Sequence, residues 1–327
     1  MGKIDDIQAY KEWTEYHRSL KRDKAADNLS PVERKKKLEK LEANVIEWIL
    51  FFFSEFAKYP FTKFHKKAIK RITTNMEWYE VLSWSRELAK STIVFMCMMY
   101  LVLTGKKKNV LLISNSHENA VRLLEPYKKA FESNSMLKAY YGDLREFGSW
   151  TADEFTLTTG ATFRAIGALE SPRGTRKDAV RPDTALVDDF DTDADCRNPD
   201  ILKKKWEWFE EALFPTRSIS EDLLVIFCGN LIALDCCVKR AGDKADHWDI
   251  VNIRDKDGKS SWPEKNTEER INRIQSKIST KAFQQEYMNN PLSKSMPVIT
   301  CSNKLRTYTS AKFYSEDEIV GIITGKE

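Results

Sequence analysis

The chain of 327 residues is long enough for one large domain or two ordinary ones, and a hydrophobic fraction of 42% is enough for a buried core. Lys and Arg number 53 against 49 Asp and Glu, so a net charge of +4 does not by itself indicate a polyanionic partner. Six cysteines without a C-x-x-C pair and four histidines argue against a structural zinc site, and a disulfide framework is not expected at this length. We therefore expect a reducing, intracellular setting.

Two apolar runs, at residues 45–53 and 93–103, are shorter than the ~18–20 residues that a membrane-spanning helix needs. The first seven residues lack the apolar core of a signal peptide. Both runs are therefore predicted to be buried helical segments, and no membrane association is expected.

A helical segment is predicted over residues 1–58. Ser30-Pro31-Val32-Glu33 is a capping box with proline at the first helical position. Apolar residues from Leu38 to Phe56 then recur at helical spacing, and Tyr59-Pro60 ends the helix.

From about residue 61, short apolar runs alternate with amphipathic stretches. This alternation predicts an α/β core with a mostly parallel sheet, and continuous apolar strands predict burial on both faces. We expect one α/β domain at 59–295, with a helical portion at about 262–295 that would form a lid, and a linker or tail at 296–327. The predicted strands are 80–83, 109–113, 154–158, 161–166, 184–187 and 223–227, and the predicted helices are 90–103, 117–131, 199–213 and a helical region at 267–290.

The segment from Ser83 to Thr92 follows an apolar strand and opens an apolar helix, which is the context of a phosphate-binding loop. Lys90 would reach the β- and γ-phosphates of ATP, and the Ser91 hydroxyl would be a ligand of Mg²⁺. The standard pattern G-x-x-x-x-G-K-[ST] places glycines where this chain has Trp84 and Ala89. The predicted nucleotide-binding residues of the loop are Ser85, Arg86, Glu87, Leu88, Ala89, Lys90, Ser91 and Thr92.

A second apolar strand ends in two carboxylates, Asp188 and Asp189. Asp188 suits the metal site, and Asp189 suits the orientation or activation of the attacking water. An EF-hand loop that begins at Asp189 would need glycine and glutamate where Ala194 and Asp200 stand, so we reject it. An aspartyl-phosphate phosphatase motif is a weaker alternative, because its threonine is not in place.

Polar groups at a third strand and several arginines complete the predicted site. Asn230 follows Cys228-Gly229 at a strand end, where an amide can sense the γ-phosphate. A guanidinium on the γ-phosphate favours hydrolysis. The candidates for this role are Arg86, Arg173, Arg176 and Arg181.

Four motifs in order resemble large terminase subunits, the DNA-packaging motors of tailed bacteriophages. They are S-R-E-L-A-K-S-T, the stretch from S-P-R-G-T-R to R-P-D-T-A-L-V-D-D, F-C-G-N, and F-Q-Q-E-Y-M-N-N-P. The resemblance implies a P-loop NTPase fold of the additional strand/helix type. It places Lys90 and Ser91 in the Walker A motif, Asp188 at the metal and Asp189 where the family usually has glutamate.

The resemblance also implies adenine contacts near Phe61 and His65, although the family often has glutamine at the second position. Arg173 and Arg176 match the approach to the Walker B strand, where an arginine acting on a neighbouring subunit's site is proposed. The residues after Pro291 are too few for the family's C-terminal nuclease domain, so nuclease activity is not expected.

The implied partners are double-stranded DNA, a portal protein, a small terminase subunit and further copies of this chain in a ring, commonly a pentamer. The implied location is the host cytoplasm, with transient attachment to the procapsid portal. A helicase-like translocase and a non-catalytic nucleotide-binding adaptor are the alternatives. Non-specific DNA contacts are possible at Lys106–Lys108, Lys203–Lys205 and Lys63–Arg71, although each run also fits a solvated face.

Overall fold

The computed structural model describes residues 29–172 and 180–291. Its centre is an eight-stranded sheet with the order β3-β4-β5-β2-β6-β7-β1-β8. The strands are β1 (Trp78–Trp84), β2 (Asn109–Ser114), β3 (Arg145–Trp150), β4 (Glu154–Leu157), β5 (Thr162–Gly167), β6 (Thr184–Asp188), β7 (Leu224–Cys228) and β8 (His247–Val251).

Helices cover both faces of this sheet. They are α1 (Pro31–Glu42), α2 (Val45–Phe52), α3 (Lys63–Thr74), α4 (Lys90–Leu103), α5 (His117–Ser133), α6 (Ser135–Tyr141), α7 (Pro199–Glu207), α8 (Cys237–Gly242), α9 (Glu268–Gln275) and α10 (Thr280–Met288). None of the helices within the described ranges is long and apolar enough to cross a membrane.

The strand order fixes the class of the fold. Strands β5, β2, β6, β7, β1 and β8 are parallel, whereas β3 and β4 form an antiparallel hairpin at one edge. Strand β7 lies between β1, which leads into the Lys90 segment, and β6, which ends at Asp188. This inserted strand is the feature that the additional strand/helix class predicts, and the predicted α/β class is confirmed.

Alternation along each central strand divides the core between two faces, because successive strand side chains point to opposite sides. In β2, Val110 and Leu112 belong to the buried cluster that includes residues of α2, α4 and α5, while Leu111 and Ile113 belong to the cluster that includes residues of α7 and α8. All four side chains are fully buried. Burial on both faces explains why the strand reads as a continuous apolar run.

The N-terminal segment forms two helices where a single helix was expected. Asn44 separates them and caps α2 by accepting from the N–H groups of Ile46 and Glu47. The Ser30 capping box at the start of α1 is present as predicted. The fully buried Trp48 attaches α2 to the core, and its indole N–H donates to Tyr141 Oη at 2.8 Å.

Helix α4 begins at Lys90 and ends at Leu103, as predicted. Ten of its fourteen residues are buried, since it lies between the sheet and the N-terminal helices. Its position is therefore fixed by packing from Ile93 to Val102, and this in turn fixes where Lys90 stands at its start.

Several other predictions need correction. The helix expected over 199–213 ends at Glu207, and Trp208–Leu213 form a π-helical segment before Pro215. The region 267–290 forms two helices, α9 and α10. Strands β3 and β8, at the two edges of the sheet, and helix α3 were not predicted as such.

Two of the predicted DNA-contacting runs contain a buried structural lysine. Lys107 is 2% exposed, and its ammonium donates to three backbone carbonyls, those of Met76 at 2.9 Å, Asp183 at 3.0 Å and Asp222 at 3.0 Å. Lys205 is 3% exposed and donates to the carbonyl of Phe190 and, at 2.8 Å, to the carboxylate of Asp195. Neither ammonium is available to DNA, and neither belongs to a solvated face.

Candidate functional site

The loop between β1 and α4 adopts the left-handed backbone that a phosphate-binding loop commonly assigns to glycine. Ala89, immediately before α4, has φ 58° and ψ 29°, and Glu87 has φ 70°. A left-handed alanine costs about 1–2 kcal/mol and is tolerated. Trp84 stands in β1, is fully buried and has no positive φ, so the first standard glycine is not required here.

The loop is held from behind by a buried histidine. His65 Nε2 lies 3.0 Å from the carbonyl oxygen of Leu88, and the N–H of Thr62 donates to His65 Nδ1 at 3.2 Å. Since the carbonyl only accepts, Nε2 carries the proton. Burial lowers the pKa of His65 to about 4, so the ring is neutral near pH 7.

A second anchor comes from the segment before α9. The ammonium of Lys265 and the amide of Asn266 both donate to the carbonyl of Glu87, at 2.8 and 3.1 Å. Lys265 also pairs with the Glu87 carboxylate at 3.0 Å. The left-handed residue Glu87 is therefore held by two side chains more than 170 positions later in the chain.

A cavity of about 870 Å³ opens at the carboxyl ends of β1, β2, β6 and β7. Ligands of open α/β sheets bind at this edge. Of the residues predicted from sequence, the lining includes Ser85, Arg86, Glu87, Ala89, Lys90, Ser91, Thr92, Asp188, Asp189 and Asn230.

The two predicted acids occupy different environments at this edge. Asp188 is 6% exposed, and its Oδ2 accepts from the Ser91 hydroxyl at 2.6 Å while its Oδ1 accepts from the N–H of Asp189 at 3.1 Å. Burial raises the pKa of Asp188 to about 6, and the charge of Lys90 opposes this shift. Asp189 is exposed to the cavity and has φ 46°, an uncommon backbone for a residue other than glycine that recurs at functional sites.

Asn230 lies directly after β7 and connects Lys90, at the start of α4, to α10. Its Oδ1 accepts from the Lys90 ammonium at 3.3 Å, and its Nδ2 donates to the carbonyl of Glu286 at 2.9 Å. The preceding Gly229 packs so closely that an added Cβ would lie 2.4 Å from Val238 Cγ2. Glycine at this position therefore allows the end of β7 to approach α8, and this close approach determines where the side-chain amide of Asn230 lies.

Arg86 is held by the same residue of α10. Its Nε donates to the Glu286 carboxylate at 2.5 Å, and its backbone N–H donates to the Glu286 carbonyl at 3.1 Å. The segment F-Q-Q-E-Y-M-N-N-P thus lies against the loop between β1 and α4. Sequence reasoning recognised this segment as a motif but gave no role to Glu286, because no local pattern indicates a contact 200 residues away.

Four predicted residues within the described ranges lie outside the cavity lining, and one of them is Arg181, which is exposed and donates to the carbonyl of Arg217 at 3.5 Å. Leu88 is fully buried beneath the loop, His65 supports it from behind, and the half-buried Phe61 packs on the core. The proposed adenine contacts of Phe61 and His65 remain predictions. Arg173 and Arg176 lie outside the described residues.

The cavity also includes polar residues that sequence reasoning missed. Asn115, Asn119 and Arg122 line it from the end of β2 and the first turns of α5. The Asn119 amide donates to Asn115 Oδ1 at 2.7 Å, and Arg122 pairs with Glu118 at 2.6 Å. A polar cluster directly after an apolar strand, Ser114-Asn115-Ser116, was the available signal.

Comparison with solved structures finds large terminases. The chain is similar to the HK97 bacteriophage large terminase, with 14% identity and a TM-score of 0.47, over 71% of this chain and 51% of that one. It is also similar to the large terminase ATPase domain of Thermus phage P74-26, with 16% identity and a TM-score of 0.44, over 73% of this chain and 97% of that one. An arginine-to-alanine mutant of that domain matches with 16% identity and a TM-score of 0.43, over 73% and 98%.

These structures come from the family that the sequence motifs resemble. This chain spans about half the length of the HK97 protein. No protein-family model and no curated protein matches the chain. We therefore base the proposed activity on the residues of the site.

Proposed function

We propose that this chain is a Mg²⁺-dependent ATPase that drives double-stranded viral DNA into a procapsid, as the motor part of a large terminase. One observation carries the ATPase proposal. Lys90, Ser91, Asp188 and Asn230 come from three separate strand ends, yet they line one cavity and are joined by hydrogen bonds of 2.6 and 3.3 Å.

The donor set at the cavity floor fits Mg²⁺. A hydroxyl and a carboxylate, those of Ser91 and Asp188, lie 2.6 Å apart, and oxygen donors of this kind suit a hard cation that retains several waters. Bound there, Mg²⁺ would neutralise charge on the β- and γ-phosphates. The raised pKa of Asp188 indicates a carboxylate that gains from a neighbouring positive charge.

The remaining roles follow from position. The N–H groups at the start of α4 and the Lys90 ammonium bind the phosphates. The exposed carboxylate of Asp189 orients the attacking water above them. Arg86 supplies positive charge from within the loop, and an arginine from a neighbouring copy, Arg173 or Arg176, is proposed to complete the site. Because Ala89 adopts the left-handed backbone, the missing glycine is no argument for an inactive adaptor.

The test is ATP turnover with Mg²⁺ and DNA at protein concentrations that permit ring assembly. Lys90→Ala and Asp188→Asn should each lose at least about 100-fold in rate, since each removes a charge-stabilising group. Lys40→Ala is the matched control, because Lys40 is an exposed lysine of α1 that lies outside the cavity lining and outside the lysine runs named as possible DNA contacts. Turnover by Lys90→Ala equal to that of the wild type would refute the site, and ATP binding without turnover would favour the adaptor.

DNA translocation requires a separate surface, and we propose the exposed face of α3. Lys63, Lys66, Lys67 and Lys70 recur at helical spacing along it, and all four are exposed. Helix α3 itself contains no acid. The four ammonium groups span about 10 Å of helix, over which duplex DNA presents about six phosphates.

Replacing these four lysines by glutamine should weaken DNA binding and reduce the slope of log K against log salt by up to about 3.6. The control replaces four exposed lysines of the N-terminal region, Lys35, Lys36, Lys40 and Lys58, with the same change of charge. Equal losses of DNA affinity in the two variants would indicate a general effect of net charge and would exclude α3 as the DNA-binding surface. Unwinding of a forked duplex would favour the helicase-like alternative.

A further inference from the structure

The loop between β1 and α4 has two left-handed residues, and neither of them is glycine. Glu87 has φ 70° and Ala89 has φ 58°. An L-residue in this region is strained, whereas glycine adopts it without strain. The loop therefore keeps this backbone only if interactions with the rest of the chain offset the strain.

Three side chains bond to the two backbone carbonyls that lie between these left-handed residues. The Lys265 ammonium and the Asn266 amide donate to the Glu87 carbonyl at 2.8 and 3.1 Å, so both lone pairs of this oxygen are used. The ring of His65 bonds to the Leu88 carbonyl at 3.0 Å. Asn266 is 8% exposed and His65 is fully buried, so their hydrogen bonds are shielded from water.

These bonds determine which way the N–H groups of the loop point. In a trans peptide the C=O and the N–H point in opposite directions. The Glu87 carbonyl shares its peptide with the N–H of Leu88, and the Leu88 carbonyl shares its peptide with the N–H of Ala89. Neither N–H donates to a backbone carbonyl within residues 29–172 and 180–291. Both are therefore available to an anion, and successive N–H groups of this kind bind phosphate.

We propose that Lys265 and Asn266 are positioning residues that hold Glu87 in its left-handed backbone and thereby stabilise a phosphate-binding loop that lacks glycine. Without their two hydrogen bonds, the loop relaxes toward negative φ, and its N–H groups leave the positions that face the phosphates. Nucleotide then binds more weakly, because a smaller fraction of the protein has the competent loop. This inference rests on the proposed nucleotide site and adds two residues to it.

The variants Asn266→Ala and Lys265→Met remove the two bonds, alone and together. Binding of a fluorescent N-methylanthraniloyl ATP analogue with Mg²⁺ measures the effect without requiring turnover. The double variant should bind it about five- to thirtyfold more weakly than the wild type, the range that corresponds to the strain of one left-handed residue. Each single variant should show part of this loss. Lys277→Met is the matched control and should bind like the wild type, since Lys277 is an exposed lysine between α9 and α10 and lies outside the cavity lining.

Glycine at position 87 separates a backbone effect from a lost contact with phosphate, which matters because Lys265 lines the cavity whereas Asn266 does not. Glu87→Gly and Glu87→Ala both remove the carboxylate that pairs with Lys265 at 3.0 Å, but only glycine relieves the strain. In the double variant, Glu87→Gly should recover most of the lost affinity and Glu87→Ala should not. With Lys265 and Asn266 in place, the two substitutions should agree within about twofold, because the backbone is held in both.

Equal affinities of the glycine and alanine forms of the double variant would overturn the proposal, since the loss would then come from a missing contact and not from the backbone. Urea unfolding midpoints verify that each variant is folded. If the double variant does not fold, Asn266→Ala alone, combined with Glu87→Gly or Glu87→Ala, gives the same comparison.

The same titrations distinguish failure of this inference from failure of the proposed function. If the analogue binds to the wild type but not to Lys90→Ala, the nucleotide site stands. Wild-type affinity of the double variant would then overturn the role of Lys265 and Asn266 alone. If Lys90→Ala binds as well as the wild type, the nucleotide site and this inference both fail.

Discussion

Replacing Lys107 by methionine tests whether the middle lysine of a basic run is part of the core. Methionine keeps most of the unbranched stem and removes the ammonium. The carbonyls of Met76 and Asp222 lose this donor, while that of Asp183 keeps the N–H of Leu224 at 3.0 Å.

The magnitude follows from the carbonyls left without this donor. A buried carbonyl without a donor costs about 1–3 kcal/mol, so two of them would cost at most about 2–6 kcal/mol. Met76 is half-buried and Asp222 is exposed, so water can replace part of the lost hydrogen bonding and the upper part of this range is not expected. Relief of the desolvation of the ammonium offsets part of this, since burial lowers the pKa of Lys107. We expect Lys107→Met to lose about 3 kcal/mol of unfolding free energy, measured by urea denaturation followed by tryptophan fluorescence.

The matched control is Lys108→Met, the same substitution one position later at an exposed side chain. It should change the unfolding free energy by no more than about 0.5 kcal/mol. Equal small effects of the two substitutions would refute the structural role of Lys107. A loss of DNA affinity in Lys107→Met without any loss of stability would restore the interpretation of the run as a DNA contact.

Three further predictions concern the supports of the site. The pKa of His65 is about 4 in the folded protein and near 6.5 in the unfolded chain. Its contribution to the free energy of unfolding is therefore present above pH 6.5 and is lost as the pH falls from 6.5 to 4. The control is His65→Gln, whose amide can still donate to the carbonyl of Leu88. Between pH 7 and pH 4 the wild type should lose about 3 kcal/mol more unfolding free energy than this variant, as measured by urea titrations. Equal losses of unfolding free energy in the two proteins would contradict this prediction. Gly229→Ala should lower the unfolding free energy by about 1–3 kcal/mol and weaken nucleotide binding, because the added Cβ would overlap Val238. An unchanged unfolding free energy together with an unchanged nucleotide affinity would show that this close approach is not needed. Trp48→Ala should lower the unfolding free energy by about 3–5 kcal/mol, measured by calorimetry or urea unfolding, because Trp48 is fully buried. A loss of unfolding free energy below about 1 kcal/mol would mean that α2 is not part of the core.

The parts of the fold with strong local signals were predictable from the sequence. Helix α4 has an apolar run and a terminal glycine, and its bounds match the prediction. The buried strands β2, β6 and β7 have continuous apolar sequences, which burial on both faces requires. The edge strands β3 and β8 are only partly buried and have no such run, so they carry no comparable pattern.

The lysine runs show a different limit. Charge in a sequence indicates exposure only on average. Whether a particular ammonium is buried depends on acceptors that other loops supply. For Lys107 these are three carbonyls 31, 76 and 115 residues away along the chain, so no local pattern identifies it.

The grouping of the candidate site residues was predictable where it depends on local motifs. Lys90, Ser91 and Asp188 lie together because their strand ends meet at one edge of the sheet. Glu286 was not predicted, because its contact with Arg86 depends on how α10 returns to the loop. Long-range returns of this kind leave no periodicity in the sequence.

Asn289 ends α10 in a left-handed backbone, and its side chain joins three chain segments. Its amide donates to the carbonyl of Ser83 in β1 and to Asn252 after β8, and its oxygen accepts from the N–H of Leu231 after β7. Amide hydrogens in these three segments should therefore exchange with deuterium in one shared opening event instead of three separate ones.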